Sequence, residues 1–285
     1  MGLIVFVSLR LTKTASAEEA ILPTPDQPET TALTIAPSIH EAVVAPGKTT
    51  SQIFEIKNGS NFPLPIKYYI RTFDANDEVG GVAISEEVDA ARFSPGSWSQ
   101  IVEPDFVLQP QSTRQMTVNF TPPVDLPPGG YYAILFAEPL LPESFLSQSS
   151  LQIGGRLGSL LFLIGPGDTM EKAEITSFSQ KKFLWRRQSE VEVRIKNSGN
   201  VHTRPAGKLI ITNKVSKKSR EIPVPEVTIL PGKIRQQIVP LGGLKWPGIY
   251  QVKLQLNYGR DKIPLEAVAT FCYLPLLDLF VIFSL

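Results

Sequence analysis

The sequence predicts an all-β protein: two tandem immunoglobulin-like β-sandwiches with a short apolar C-terminal tail. Three observations carry that reading. First, 25 prolines and 20 glycines are spread through 285 residues; they cut the chain into short segments of the kind strands and turns use, and no long run places apolar residues at helical spacing. Second, that length suits about two domains. Third, one series of cues occurs twice: IKNGSNFPLPIKYYI (Ile56–Ile70) returns as IKNSGNVHTRPAGKLII (Ile195–Ile211).

Taken in order, residues 1–17 read as a signal-peptide-like segment, with an apolar run at Leu3–Val7 and Ala15-Ser16-Ala17 ahead of Glu18. Residues 18–32 are a linker, because proline and charge cannot build a core. The first sandwich is expected over 33–166. Phe54 and Ile56 share one face of a half-buried strand. The Asn-Gly-Ser-Asn that follows tolerates positive φ and makes a turn into a strand at Ile66–Phe73. Val107–Phe120 and Leu126–Pro139 supply later strands, and Tyr131-Tyr132 after a Pro-Gly turn is a feature of immunoglobulin-like sandwiches. An insertion, 74–105, interrupts this copy, and long insertions on a rigid sandwich are where recognition tends to sit. Arg156–Gly165 closes the domain. The second sandwich, 171–272, repeats the cues: Val191, Val193 and Ile195 on one face, a turn, a strand at Lys208–Asn213, then Ile229–Leu241 and Lys245–Gly259 with Tyr250. The same order twice is the mark of a tandem duplication. Residues 273–285 form an apolar, membrane-anchor-like tail, shorter than the roughly 20 residues of a spanning helix and carrying Asp278.

The overall charge of +1 hides an asymmetry. Residues 18–170 hold 7 Lys/Arg against 18 Asp/Glu, a net −11, whereas residues 171–285 hold 19 against 9, a net +10. Basic groups near anionic lipid gain about 1 kcal/mol each. The densest basic pieces therefore become candidates for contact with a membrane or anionic surface: Lys181, Lys182, Arg186 and Arg187 in one, Lys214, Lys217, Lys218 and Arg220 in the other. Basic residues around an aromatic in KKFLWRR also suit nucleic acid, but an exported chain seldom meets it and none is expected as a partner.

Catalysis needs a nucleophile, a base and an orienting partner. The two histidines, His40 and His202, fall at different places in the two copies, and neither G-x-S-x-G nor H-E-x-x-H occurs. No enzyme activity and no cofactor is expected. With a single cysteine, Cys272, neither an intrachain disulfide nor a zinc site is expected. Asp74, Asn76 and Glu78 alternate as in a calcium loop, but Val79 stands where an EF-hand needs glycine and Ser85 where it needs glutamate; an acidic hairpin tip is the alternative. Trp98, with Phe93 and Phe106, is the candidate ligand site, since aromatic faces pack on sugar rings and peptides; the alternative is that Trp98 pins the insertion to the sandwich. The apolar strands YYAILFAEP (Tyr131–Pro139) and GSLLFLIG (Gly158–Gly165) could accept a partner strand if they lie near a sheet edge.

The order LTIAPSIHEAVVAPGKTTSQIFEIKNGSNFPLPI, LQPQSTRQMTVNFTPPVDLPPGGYYAILFAEP, second sandwich, apolar tail resembles the WxL-interacting proteins of Gram-positive cell surfaces. That resemblance implies a peptidoglycan-binding immunoglobulin-like domain, a second such domain that binds a host, and a C-terminal membrane segment. Together these observations lead to the expectation of a non-enzymatic cell-surface adhesion scaffold, exported and membrane-attached on the outer face of a bacterial cell. Its first domain would bind cell-wall glycan or a surface protein, its second would be a membrane-proximal spacer or partner-binding module, and its tail would hold it to the membrane. The alternative is an extracytoplasmic assembly chaperone acting by β-strand addition.

Overall fold

The computed structural model describes residues 33–85, 92–103, 105–140, 156–180, 183–184, 189–244 and 246–274. It contains two β-sandwiches. The first is built from β1 (Leu33–Ala36), β2 (Ile39–Val43), β3 (Thr50–Asn58), β4 (Leu64–Ala75), β5 (Val82–Ile84), the one-turn α1 (Pro95–Trp98), β6 (Ser99–Ile101), β7 (Asp105–Leu108), β8 (Thr113–Phe120), β9 (Gly129–Pro139) and β10 (Leu157–Gly165). Its sheets run β1-β3-β8-β6 and β2-β10-β9-β4-β5, with β7 also on β4. The second is built from β11 (Ala173–Ser179), β12 (Phe183–Leu184), β13 (Glu190–Asn197), β14 (Ala206–Asn213), β15 (Ser219–Val224), β16 (Ile234–Pro240), β17 (Gly248–Tyr258) and β18 (Ile263–Tyr273). Its sheets run β11-β13-β16 and β12-β18-β17-β14-β15.

Alternation sets which side chains reach each core. Along β17, Tyr250, Val252, Leu254, Leu256 and Tyr258 are buried, while the residues between them face outward. Phe54 and Ile56 on β3 meet Met116, Val118 and Phe120 on β8 in the first core; Val191, Val193 and Ile195 meet Val239 in the second. In both copies the opening strand changes sheets. β1 pairs with β3 and β2 with β10; β11 pairs with β13 and β12 with β18. Proline at position 37 helps the first switch, since it cannot donate to a ladder.

The repeated Ile-Lys-Asn has one physical job done twice. Asn58, fully buried, donates to the carbonyls of Phe62 (2.8 Å) and Leu108 (3.1 Å) and accepts from the amide of Ser60. Asn197, equally buried, donates to Val201 and Ile229 (both 2.8 Å) and accepts from Gly199. Each side chain ties the turn after its strand to the distant segment that leads into β8 or β16. The tyrosines also match: Tyr131 donates to the carbonyl of Pro127 at 2.8 Å and Tyr250 to that of Trp246 at 2.7 Å.

The copies differ where the insertion falls. Rather than projecting, it is stitched into both sheets. β5 and β7 pair with the two ends of the long β4, and β6 extends the opposite sheet beside β8.

Candidate functional site

The face of β9 and β10 that points away from the first core is apolar too. Ala133, Leu135, Leu161 and Leu163 fill the first core, while Tyr132, Ile134, Phe136 and Phe162 face the other way and are also buried. With Phe73 and Leu230, they form a third cluster, in which the second sandwich closes over the first. Tyr132 meets Phe162 edge-on at 5.5 Å and Phe73 at 6.1 Å between ring centroids.

His202 enters this cluster from the turn after β13. Its ring lies 4.8 Å from Phe162 and edge-on to Tyr132 at 5.7 Å. The register of β2 on β10 sets Glu41 beside Phe162. There Glu41 lies 3.2 Å from His202 Nε2 and accepts from Arg204 at 2.5 Å, and the guanidinium of Arg204 sits 5.1 Å over the Phe162 ring. Burial lowers the His202 pKa and Arg204 adds to that, against the opposing pull of Glu41. Burial raises the Glu41 carboxyl, but the hydrogen bond from Arg204 and the charges of His202 and Arg204 outweigh it and hold it below the usual range.

A second set of contacts comes from the β4–β5 hairpin tip. Asp74 pairs with Lys233 at 2.6 Å, Glu78 pairs with Arg194 at 2.5 Å, and the Glu78 carbonyl accepts from the amide of Gln236 at 2.7 Å. Asp77 accepts from the amides of Val79, Gly80 and Gly81, and those bonds, Gly81's first, hold its carboxyl low. The carboxylates suggested as calcium ligands thus clamp the hairpin to the second sandwich. Asp74 and Glu78 face different cations, and among the described residues no three metal-ligating side chains come together. Beside them lies an open cleft of about 510 Å³, walled by the Gly129-Gly130 and Gly199-Asn200 turns and Leu230. Its one carboxylate, Asp74, is already paired.

Beyond the junction the apolar face continues. Tyr69 packs on Phe136 at 5.3 Å and Arg156 lies 4.6 Å over the same ring. Gly158 is needed here, because a Cβ would come within 2.5 Å of Ile134. The outer edge of β10 is only partly covered. β2 pairs with Leu160–Ile164, beginning where the Leu160 amide donates to Ser38 at 2.9 Å. By strand periodicity the main-chain groups of Gly158 point to that same edge, and no described strand pairs with them.

The aromatic ligand residues expected from the sequence converge on the first core. Trp98 is 8 % exposed and packs edge-on to Phe120 and Tyr131; Phe93 is half-buried against the same core. Phe106 stacks on Tyr68 at 5.1 Å beneath Arg114. Lys181, Lys182, Arg186 and Arg187 lie outside the described residues, while Lys214, Lys217, Lys218 and Arg220 are exposed on the β14–β15 hairpin. Of the two apolar strands, β9 is central and β10 lies next to the edge. Sequence reasoning missed Glu41, Tyr132, His202 and Arg204 as a group. The doubled Tyr131-Tyr132 was the available signal, since adjacent residues on a strand face opposite ways and both were aromatic.

No family model matches this chain, and no curated protein does. Solved structures do. The class 5 fimbriae chaperone CfaA is similar at 12 % identity over 84 % of this chain and 99 % of its own, with a TM-score of 0.48. A CsuC–CsuE chaperone–tip adhesion subunit pre-assembly complex of Acinetobacter baumannii matches at 13 % identity over 85 % and 99 %, TM-score 0.44. The E. coli chaperone DraB matches at 15 % identity over 84 % and 97 %, TM-score 0.42.

These findings correct the resemblance to WxL-interacting proteins, and with it the adhesion scaffold, the cell-wall glycan partner and attachment through the tail: the similar structures include chaperones of fimbriae and pili. The physical reason is that Pro-Gly turns, buried turn asparagines and tyrosine corners are requirements of sandwiches in general, so they trace a fold and not a ligand. Of the expected tail, Tyr273 instead ends β18 and is buried in the second core, because strand alternation turns it inward; residues 275–285 lie outside the described residues, and among those described no helix is long and apolar enough to cross a membrane. His40 is packed between Phe54 and Phe120, and His202 is enclosed at the junction.

Proposed function

We propose that this chain is an exported assembly chaperone that holds a partner subunit by β-strand addition at the Leu157 end of β10. The observation that carries this is the partial cover of β10. Its outer edge is paired from Leu160 onward and, among the described residues, no strand pairs with it at Gly158; alongside that opening the sheet is apolar on the face away from the core, through Tyr69, Ile134, Phe136 and Leu160. An extended segment laid there would gain main-chain hydrogen bonds from β10, and its alternate side chains would gain apolar contact. The second sandwich, clamped at the junction, would limit how far that segment can run. Some of the solved chaperones are held with a tip adhesin or a pilin; for this chain such a partner is a proposal and rests on the sheet edge.

The test is site-specific photo-crosslinking in the native cells, with the reactive residue at position 157 and a control at Val268 on the far edge of the second sandwich. Adducts formed at 157 and mapped to one extended segment of one exported partner support the reading. Absence of an adduct at 157, or equal labelling from both positions, overturns it.

A further inference from the structure

The far end of the second sandwich, away from the junction, is built unlike the rest of the surface. Three large apolar side chains stand out there: Val215 is 73 % exposed, Trp246 61 % and Ile249 49 %. They are neighbours. The Lys214 amide donates to the Ile249 carbonyl at 2.8 Å, and Val215 lies 3.6 Å from where a Cβ on Gly248 would be. Their backbone is firmly held. Asn213 accepts from the amides of Val215 (2.9 Å) and Ser216 (3.0 Å), and Tyr250 anchors the Trp246 carbonyl. A single exposed apolar residue needs no explanation, whereas a rigidly presented group of three including a tryptophan marks an interaction surface.

Cations surround this group. Lys214, Lys217 and Lys218 are exposed on the hairpin between β14 and β15, and Arg220 is steadied by the Leu241 carbonyl. Directly beneath Trp246 lies a notch of about 240 Å³ lined by Ser216, Lys218, Ser219, Arg220 and Tyr250, with no carboxylate among its described lining residues. Two cations, two hydroxyls and an aromatic wall are the chemistry that receives a phosphate. A soluble phosphate has no use for the apolar group beside the notch. A lipid surface does, because tryptophan prefers the boundary between headgroup and acyl chain.

We infer that this end of the second sandwich docks on an anionic phospholipid surface. Val215, Trp246 and Ile249 enter the interface, a headgroup phosphate occupies the notch, and the lysines meet neighbouring headgroups. This contact belongs to the folded domain, does not involve the residues after Leu274, and stands or falls separately from the chaperone reading.

The test is co-sedimentation of the full chain with vesicles of phosphatidylcholine alone and of phosphatidylcholine mixed with phosphatidylglycerol, with inorganic phosphate as competitor at matched ionic strength. Every variant keeps the same C-terminal residues, so differences between variants report on the domain end. Binding is expected to the anionic vesicles only. It should weaken about a hundredfold when Lys214, Lys217 and Lys218 are all changed to Gln, and should also weaken in Trp246→Ala, whose fold is checked by circular dichroism. Equal binding to both vesicle types, or unchanged binding in the folded variants, overturns the inference. Binding of inorganic phosphate at the notch with no binding to the anionic vesicles assigns it to a free phosphate instead, and also overturns it.

Discussion

Asn58 donates to the carbonyls of Phe62, Leu108 and Gln109, and Asn197 to those of Val201 and Ile229. A buried group left without its partner costs about 1–3 kcal/mol. Asn197→Ala strands the carbonyl of Val201 and leaves that of Ile229 with the Thr203 amide alone, at 3.0 Å; it is expected to lower the unfolding free energy by about 2 kcal/mol, read from the urea midpoint at unchanged slope. Asn197→Asp keeps the acceptor toward Gly199 but loses both donors, and should fall nearly as far. An alanine variant within about 0.5 kcal/mol of the parent would show that these carbonyls find other donors. Both asparagines are legible in the sequence as turn residues. Their burial is not, because it depends on Leu108 and Ile229, segments that arrive from elsewhere in the chain.

At the scale of elements, the β4–β5 hairpin is the informative piece. In sequence it reads as an acidic tip; in the structure it spans the junction through Asp74–Lys233 and Glu78–Arg194. These side chains are between about a third and three-fifths exposed, so each pair contributes no more than about 1 kcal/mol. Its effect should therefore be on geometry rather than stability. Changing Asp74 and Glu78 together to Ala is expected to leave the urea midpoint nearly unchanged and to broaden the distance distribution from small-angle X-ray scattering as the sandwiches swing. An unchanged scattering profile would mean that the aromatic cluster and the Glu41–Arg204 pair set the angle without the hairpin. β10 shows the same lesson from the other side: GSLLFLIG announces a buried strand, but only the register of β2 decides which of its edge groups stay open.

At the scale of the whole molecule, the junction couples the two sandwiches to pH. His202 is held below its ordinary pKa of 6.5 by burial first, with Arg204 adding to it, and burial lowers His40 in the same way. The unfolded chain therefore binds these protons more readily than the folded one. Their contribution is complete above about pH 6.5 and is lost as pH falls through that value toward the folded pKa. Glu41, also held low, adds a second loss as pH falls below its ordinary value of 4.5. The urea midpoint is thus expected to drop on acidification below about pH 6.5, and His202→Gln should flatten that drop. A parent midpoint that stays constant from about pH 7 to about pH 5 would contradict the account.

By itself the sequence determined the class of fold, the duplication, the positions of the main turns and the opposite charges of the two halves. All of these follow from local rules, namely strand alternation, turn chemistry and composition, that each segment obeys without knowledge of its neighbours. Tertiary structure alone decided the junction, the open stretch of β10 and the exposed Trp246. Glu41 and His202 meet across more than half the chain, and Trp98 and Trp246 look alike in sequence although one is enclosed by the first core and the other stands in solvent. Burial and edge cover are properties of what packs against a residue, and no local pattern carries that information.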